Sequence, residues 1–208
     1  MKGVLISFEG IDFSGKSVQA NLLKENLVRK GFSVILLREP GGTEISEKIR
    51  EVLLDKGNDG MVDRTEVLLY SAARAQMVAE RVVPHLKRGG VVICDRYFDS
   101  TTAYQGYGRE IDLDFIKQLH KFAIQDIVPD ITFLIDIDLE EAVRRSEQGG
   151  HRLDRLEQEG EEFRERVRAG YLAVAEEEPE RFVVVDGRRS VAEIQEEILS
   201  HVKKKLKI

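Results

Sequence analysis

Five short apolar runs, rich in β-branched residues, mark the chain at 4–8, 34–37, 91–94, 131–135 and 182–185. Each is apolar on both faces of an extended strand. That is the pattern of strands covered by layers above and below, as in a parallel sheet. Segments of helical period lie between them. Val18, Leu22 and Leu23 begin one. Asp63 and Glu66 have the spacing of a capping box opening a long helix through Val67, Leu68, Val78, Val82 and Leu86. Ser190 and Glu193 repeat that spacing ahead of Ile194, Ile198 and Val202. Gly31, Gly89, Gly90 and Gly187 punctuate the junctions.

Strands alternating with helices predict right-handed β–α–β crossovers and a doubly wound, three-layer α/β sandwich with five parallel strands. One domain over residues 1–208 is expected. The only compositional break is a polar, glycine-containing stretch that predicts a short lid around 147–156. With 42 % hydrophobic residues the chain can bury a core, and a net charge of −6 disfavours nucleic acid or an anionic membrane as partner. An anionic ligand has to be held by local basic clusters. The lysines at 203–205 fit the solvated end of the last helix. The single Cys94 excludes an internal disulfide and, inside an apolar run, reads as a core residue. No stretch has membrane-spanning length and no secretory leader is expected, which points to the cytoplasm.

Chemistry enters after the first run. Gly10, Ile11, Asp12, Phe13, Ser14, Gly15, Lys16 and Ser17 satisfy G-x-x-x-x-G-K-[ST] between a strand and a helical pattern. Glycines let the backbone curl its N–H groups towards phosphate oxygens, and the helix N-terminus adds its positive end. Lys16 supplies a point charge to the β and γ phosphates of ATP, and the Ser17 hydroxyl suits one Mg²⁺ position. The third run ends in Asp95, Arg96 and Tyr97. A carboxylate at the C-terminal end of a buried strand lies where such sheets bind ligands, so Asp95 is a second Mg²⁺ candidate and Arg96 faces an anion in the same crevice.

A phosphate loop alone does not separate a kinase from a switch. Tyr70 and Arg74 share a helix face at i, i+4, where a ring can stack on a base and a guanidinium can meet its polar edge. Tyr104, Gln105 and Arg109 follow the Asp95 segment and are ambiguous singly.

Together these pieces resemble the thymidylate kinases. The resemblance rests on residues 8–12 leading into 14–17, on 38–43, 70–74, 95–97 and 100–106, and ends with 152–157. It implies a P-loop NTPase fold and transfer of phosphate from ATP, with Mg²⁺, to thymidine monophosphate. It also implies roles: Tyr70 stacks on thymine; Arg74, Thr101 and Gln105 meet the base edge; Tyr104 lies under the deoxyribose. Arg96 clamps the acceptor phosphate, Arg38 and Arg50 are further candidates, and Asp12 faces the acceptor sugar and phosphate. Two features depart from relatives: the loop carries no arginine, and Phe13 stands where glycine is usual. The missing charge is then expected from the lid, through Arg152 and Arg155 among the arginines that also include Arg144 and Arg145. The resemblance further implies a homodimer packed through helices. The rival readings are another nucleotide or deoxynucleoside kinase, and an ATP-binding switch without transfer.

Overall fold

The computed structural model describes residues 3–149 and 154–206. Five parallel strands, β1 (Val4–Glu9), β2 (Val34–Arg38), β3 (Val91–Asp95), β4 (Ile131–Asp136) and β5 (Phe182–Asp186), form one sheet in the order β2-β3-β1-β4-β5. Each follows its apolar run and extends it by one residue. The β1 strand is central, between β3 and β4, so the chain reverses direction across the sheet beside its carboxyl end. Sheets of this kind hold ligands at that point.

Helices cover both faces. Leu23 and Leu27 of α1 (Lys16–Arg29) and Ile194, Ile198 and Val202 of α9 (Val191–Leu206) pack on Ile6, Phe8, Ile93, Phe133 and Ile135. The face bearing Leu5, Val92 and Cys94 meets Met77 of α3 (Asp63–Met77), then Val78 and Val82 of the π-helical turn Val78–Val82, which leads into α4 (Val83–Lys87). Cys94 is fully buried, as its apolar run implies. Three further helices complete this side: α2 (Glu44–Leu54), α5 (Phe98–Thr101) and α6 (Leu113–Ile124). Beyond β4, α7 (Leu139–Gly149) and α8 (Glu161–Glu177) follow. Phe163, Val167, Tyr171 and Val174 of α8 pack with Leu134, Tyr104 and Phe182.

The two expected capping boxes behave differently. At α9 the box forms: Ser190 N–H donates to Glu193 Oε2 at 3.0 Å and Glu193 N–H to Ser190 Oγ at 3.3 Å. At α3 it does not, because Asp63 is already helical, Val62 is the cap residue, and no side chain caps that end. Glu66 instead turns inward, fully buried, and accepts from Gln105, Arg109 and Arg155. A buried carboxylate needs that many donors, and this requirement overrides a local capping preference.

Candidate active site

The sheet register gathers the polar groups at one edge. Phe8 pairs with Asp95, and Asp95 pairs in turn with Arg38. Just past β1, Gly10 takes φ 137° and Gly15 φ 96°, values closed to most side chains; a Cβ on Gly10 would strike the Ile135 carbonyl. Phe13 takes φ 65° in the same loop, the left-handed conformation that explains why glycine suits this position. The α1 helix opens at Gly15 with no side-chain cap, leaving its first N–H groups for an anion.

Lys16 is nearly buried; its Nζ donates to the Ile11 carbonyl at 3.2 Å and lies 3.6 Å from Asp12 Oδ1. Burial and Arg96 pull its pKa down, while Asp12, Asp95 and Glu9 hold it up. Ser17 Oγ donates to Asp95 Oδ2 at 2.5 Å, and Asp95 Oδ1 is buried without a hydrogen-bond partner. A hydroxyl beside a carboxylate with a spare buried oxygen fits Mg²⁺ bound mainly through nucleotide oxygens and water. Among the described residues no cluster of three His, Cys, Asp or Glu side chains forms an all-protein metal cage.

Arg96 is the hub. It too has positive φ, 70°, immediately after β3. Its Nη1 donates to the Gly10 carbonyl at 3.0 Å, Tyr171 OH at 2.9 Å and Ser100 Oγ at 3.3 Å; its Nη2 donates to Asp12 Oδ1 at 2.5 Å and Tyr104 OH at 3.1 Å. The guanidinium also sits 5.0 Å from the centre of the Tyr104 ring. Against the cost of burial, Tyr104 and Asp12 keep it charged. Burial pushes the Asp12 carboxyl up, but Arg96, Lys16 and the Tyr104 hydrogen bond outweigh it and hold the group low, at about 2. Behind Arg96 lies Glu9, fully buried, accepting from Tyr97 N–H and Ser100 Oγ, each at 2.6 Å, and from Tyr171 OH at 3.1 Å. Burial, with Asp99 behind it, pushes Glu9 up to about 8 against the pull of these donors and Arg96.

One cleft runs past this hub. Asp12, Lys16, Ser17, Asp95 and Arg96 line it together with Tyr70, Thr101, Tyr104 and Gln105, and Arg38 and Arg50 also lie on its wall. Arg38 pairs with Glu47 at 2.9 Å, and Arg50 donates to the Pro40 carbonyl at 2.9 Å. Arg74 does not line the cleft. It is buried against Glu39, with Nε to Oε2 at 2.7 Å, leaving its Nη1 without a partner. Thr101 Oγ1 is likewise buried and unpartnered, and Gln105 donates to Glu66 Oε1 at 2.9 Å.

Arg155, expected over the phosphates, stands apart from the phosphate loop: its Nη2 meets Glu66 Oε2 at 2.5 Å and its Nε the Leu53 carbonyl at 2.9 Å. The pull of a buried carboxylate on the nearest cation is the reason. Arg152, and with it residues 150–153 of the expected lid, lies outside the described residues. Among the described arginines expected around the lid, Arg145 of α7 reaches the loop. Its Nη1 donates to the Phe13 and Ser14 carbonyls at 3.3 and 3.1 Å, and its Nη2 to the Gly187 carbonyl at 2.7 Å. Arg144 points elsewhere, to Glu141.

Comparison with known proteins identifies the family. The family model described as thymidylate kinase matches residues 8–198. The chain belongs to the thymidylate kinase family. A thymidylate kinase of Thermoanaerobacter sp. is 44 % identical over 206 residues, 99 % of this chain and 100 % of the relative. One from Pelobacter propionicus is 49 % identical over 205 residues, 96 % and 94 % of the two chains. The crystal structure of thymidylate kinase from Ehrlichia chaffeensis superposes with a TM-score of 0.80 at 34 % identity, covering 97 % of this chain and 100 % of that one.

Within a thymidylate kinase fold, sequence reasoning passes over Glu9, Glu39 and Tyr171, takes Glu66 for a capping residue, and names Arg145 without preferring it to its neighbours. Three of these are carboxylates buried by contacts distant in the chain, which no local pattern announces. Glu9 left only the trace of a charge closing β1, and a charged residue closes each of the other four strands as well.

Proposed function

We propose that this chain transfers the γ-phosphoryl group of ATP to thymidine monophosphate. The bond between Pγ and the β–γ bridging oxygen breaks, a phosphate oxygen of the monophosphate bonds to Pγ, and ADP and thymidine diphosphate leave. The observation that carries the reading is the single cleft joining the phosphate loop to Tyr70, Thr101, Tyr104 and Gln105 across Arg96. A triphosphate site alone has no use for the second half.

The acceptor oxygen is already anionic, so no strong base is required; positioning and charge carry the step. Residues 10–17 hold the donor phosphates through backbone N–H groups, and Lys16 neutralises their β and γ oxygens. Ser17 and Asp95 are the residues that would hold Mg²⁺, which when bound offsets charge on the transferred group. Arg96 holds the acceptor phosphate with Asp12 beside it, and Arg38 and Arg50 add positive potential to the wall. Tyr70 stacks on the base. The unpartnered Thr101 Oγ1, which lines the cleft, supports contact with the polar base edge: an orphaned buried hydroxyl loses free energy unless a ligand satisfies it. The Tyr104 ring, braced by Phe163 and Tyr171 at 6.2 Å, leaves little room for a ribose 2′-hydroxyl.

We place the enzyme in the cytoplasm as a homodimer. No helix among the described residues is long and apolar enough to cross a membrane. The exposed Leu68 on α3, and Phe115 and Phe122 on α6, offer apolar surface on helices that pack together. The test of the chemistry is product stoichiometry with ATP, Mg²⁺ and thymidine monophosphate. One thymidine diphosphate per ADP is expected. ATP binding without turnover on any monophosphate would establish the switch reading instead.

A further inference from the structure

We propose that Glu9 is a positioning residue for phosphoryl transfer: by accepting the hydroxyl protons of Ser100 and Tyr171, it turns both oxygens into acceptors that aim Arg96 at the acceptor phosphate. The inference rests on the kinase reading above and deepens it.

The geometry is one of competing directions. A hydroxyl has one proton and two lone pairs, whereas a guanidinium only donates. Arg96 Nη1 lies 2.9 Å from Tyr171 OH and 3.3 Å from Ser100 Oγ, so both hydroxyls must present lone pairs to it. Ser100 does so because its proton goes to Glu9 Oε2, at 2.6 Å. Tyr171 OH lies 3.1 Å from the same carboxylate oxygen and 2.8 Å from Ser100 Oγ. Its proton goes to Glu9 Oε2, which turns it away from Arg96. The other carboxylate oxygen takes the Tyr97 N–H at 2.6 Å. The carboxylate form is the one that suits all three donors, and because burial raises Glu9 to about 8 that form fills in as pH rises through this value. Ser100 and Tyr171 come from α5 and α8, so Glu9 at the end of β1 ties three elements to one guanidinium.

Glu9→Gln keeps the shape and reverses the logic. Its amide NH₂ faces either the Tyr97 N–H, donor against donor, or the two hydroxyls. In the second case it pushes their protons towards Arg96. The aim of the guanidinium is lost while its charge stays. Hydrogen bonds to charged groups of this kind correspond to about ten- to a hundredfold in an equilibrium constant.

A double-mutant cycle tests this directly. Glu9→Gln, Ser100→Ala and Tyr171→Phe are each measured in the parent chain and in an Arg96→Lys background, with kcat and KM for both substrates and a thermal melt of each variant. Expected is a roughly ten- to hundredfold loss of kcat/KM for thymidine monophosphate with Glu9→Gln. Smaller losses follow for the two hydroxyl variants. KM for ATP stays unchanged, and little further loss appears once Arg96 is lysine. Equal losses in both backgrounds, or a parallel loss of ATP affinity, would overturn the role of Glu9, since a merely structural carboxylate acts alike with or without Arg96. If Glu9→Gln does not fold, Ser100→Ala and Tyr171→Phe carry the same comparison. Turnover of the parent chain in the same assay separates the two claims. An inactive parent contradicts the proposed function; an active parent with additive losses contradicts only the placement of Glu9.

Discussion

Lys16 and His120 are both buried basic groups whose pKa burial lowers, but their neighbours differ. Lys16 keeps anionic company in Asp12, Asp95 and Glu9. Its removal takes a preorganised charge from the donor phosphates, so Lys16→Ala is expected to lower kcat by about 10²–10³-fold while the thermal melt stays close to that of the parent. His120 has cations near it instead. Burial, then Arg74 and Arg181, push it down to about 3 from 6.5. Its hydrogen-bonding partner is Thr102 Oγ1, at 2.9 Å from Nε2. Above 6.5 the folded and unfolded chains both hold it neutral. Below that the unfolded chain takes up a proton that the folded one refuses, so stability falls as pH drops from 6.5 towards about 3. Denaturant titrations across that range should show His120→Gln losing less stability than the parent. An equal slope in the two proteins would contradict the buried neutral imidazole. Residue identities at the phosphate loop were readable because the G-x-x-x-x-G-K-S pattern is local. The partners of Arg74 and Arg155 were not, because Glu39 and Glu66 reach them only after the chain has folded.

Helix starts carry the same lesson at the scale of elements. Asp63 with Glu66 and Ser190 with Glu193 have one spacing, yet only the second pair caps a helix. Ser190→Ala is therefore expected to cost about 1 kcal/mol of stability, and Asp63→Ala clearly less; comparison of their melting curves decides it. The strands were legible almost to the residue because a run apolar on both faces has one good use in an α/β chain. The expected lid rested only on a glycine-bearing break, and residues 150–153 of it lie outside the described residues. The arginine that α7 presents to the loop carbonyls, Arg145, sits one residue from Arg144 in a charge run where sequence offers no reason to prefer either.

Across the whole molecule, the sheet order puts the central strand beside the switch in direction, and the phosphate loop follows that strand. Asp12, Lys16 and Ser17 then line one cleft together with Arg96, Tyr70, Thr101 and Tyr104. The apolar surface left on α3 and α6 includes Phe122, 84 % exposed. Sedimentation should find a dimer, and Phe122→Asp should shift it towards monomer; a parent chain that runs as a monomer would contradict packing through these helices. The measurement that bears most directly on the central claim is a panel of kcat/KM values with ATP and Mg²⁺ for thymidine, deoxyuridine, deoxycytidine and uridine monophosphates. Thymidine monophosphate is expected to lead. Deoxyuridine monophosphate should follow by about 10- to 200-fold for its missing methyl group, with the ribose and cytosine compounds lower still. Equal rates across the panel would contradict the assignment of Tyr70, Thr101 and Tyr104 to a thymidine monophosphate site.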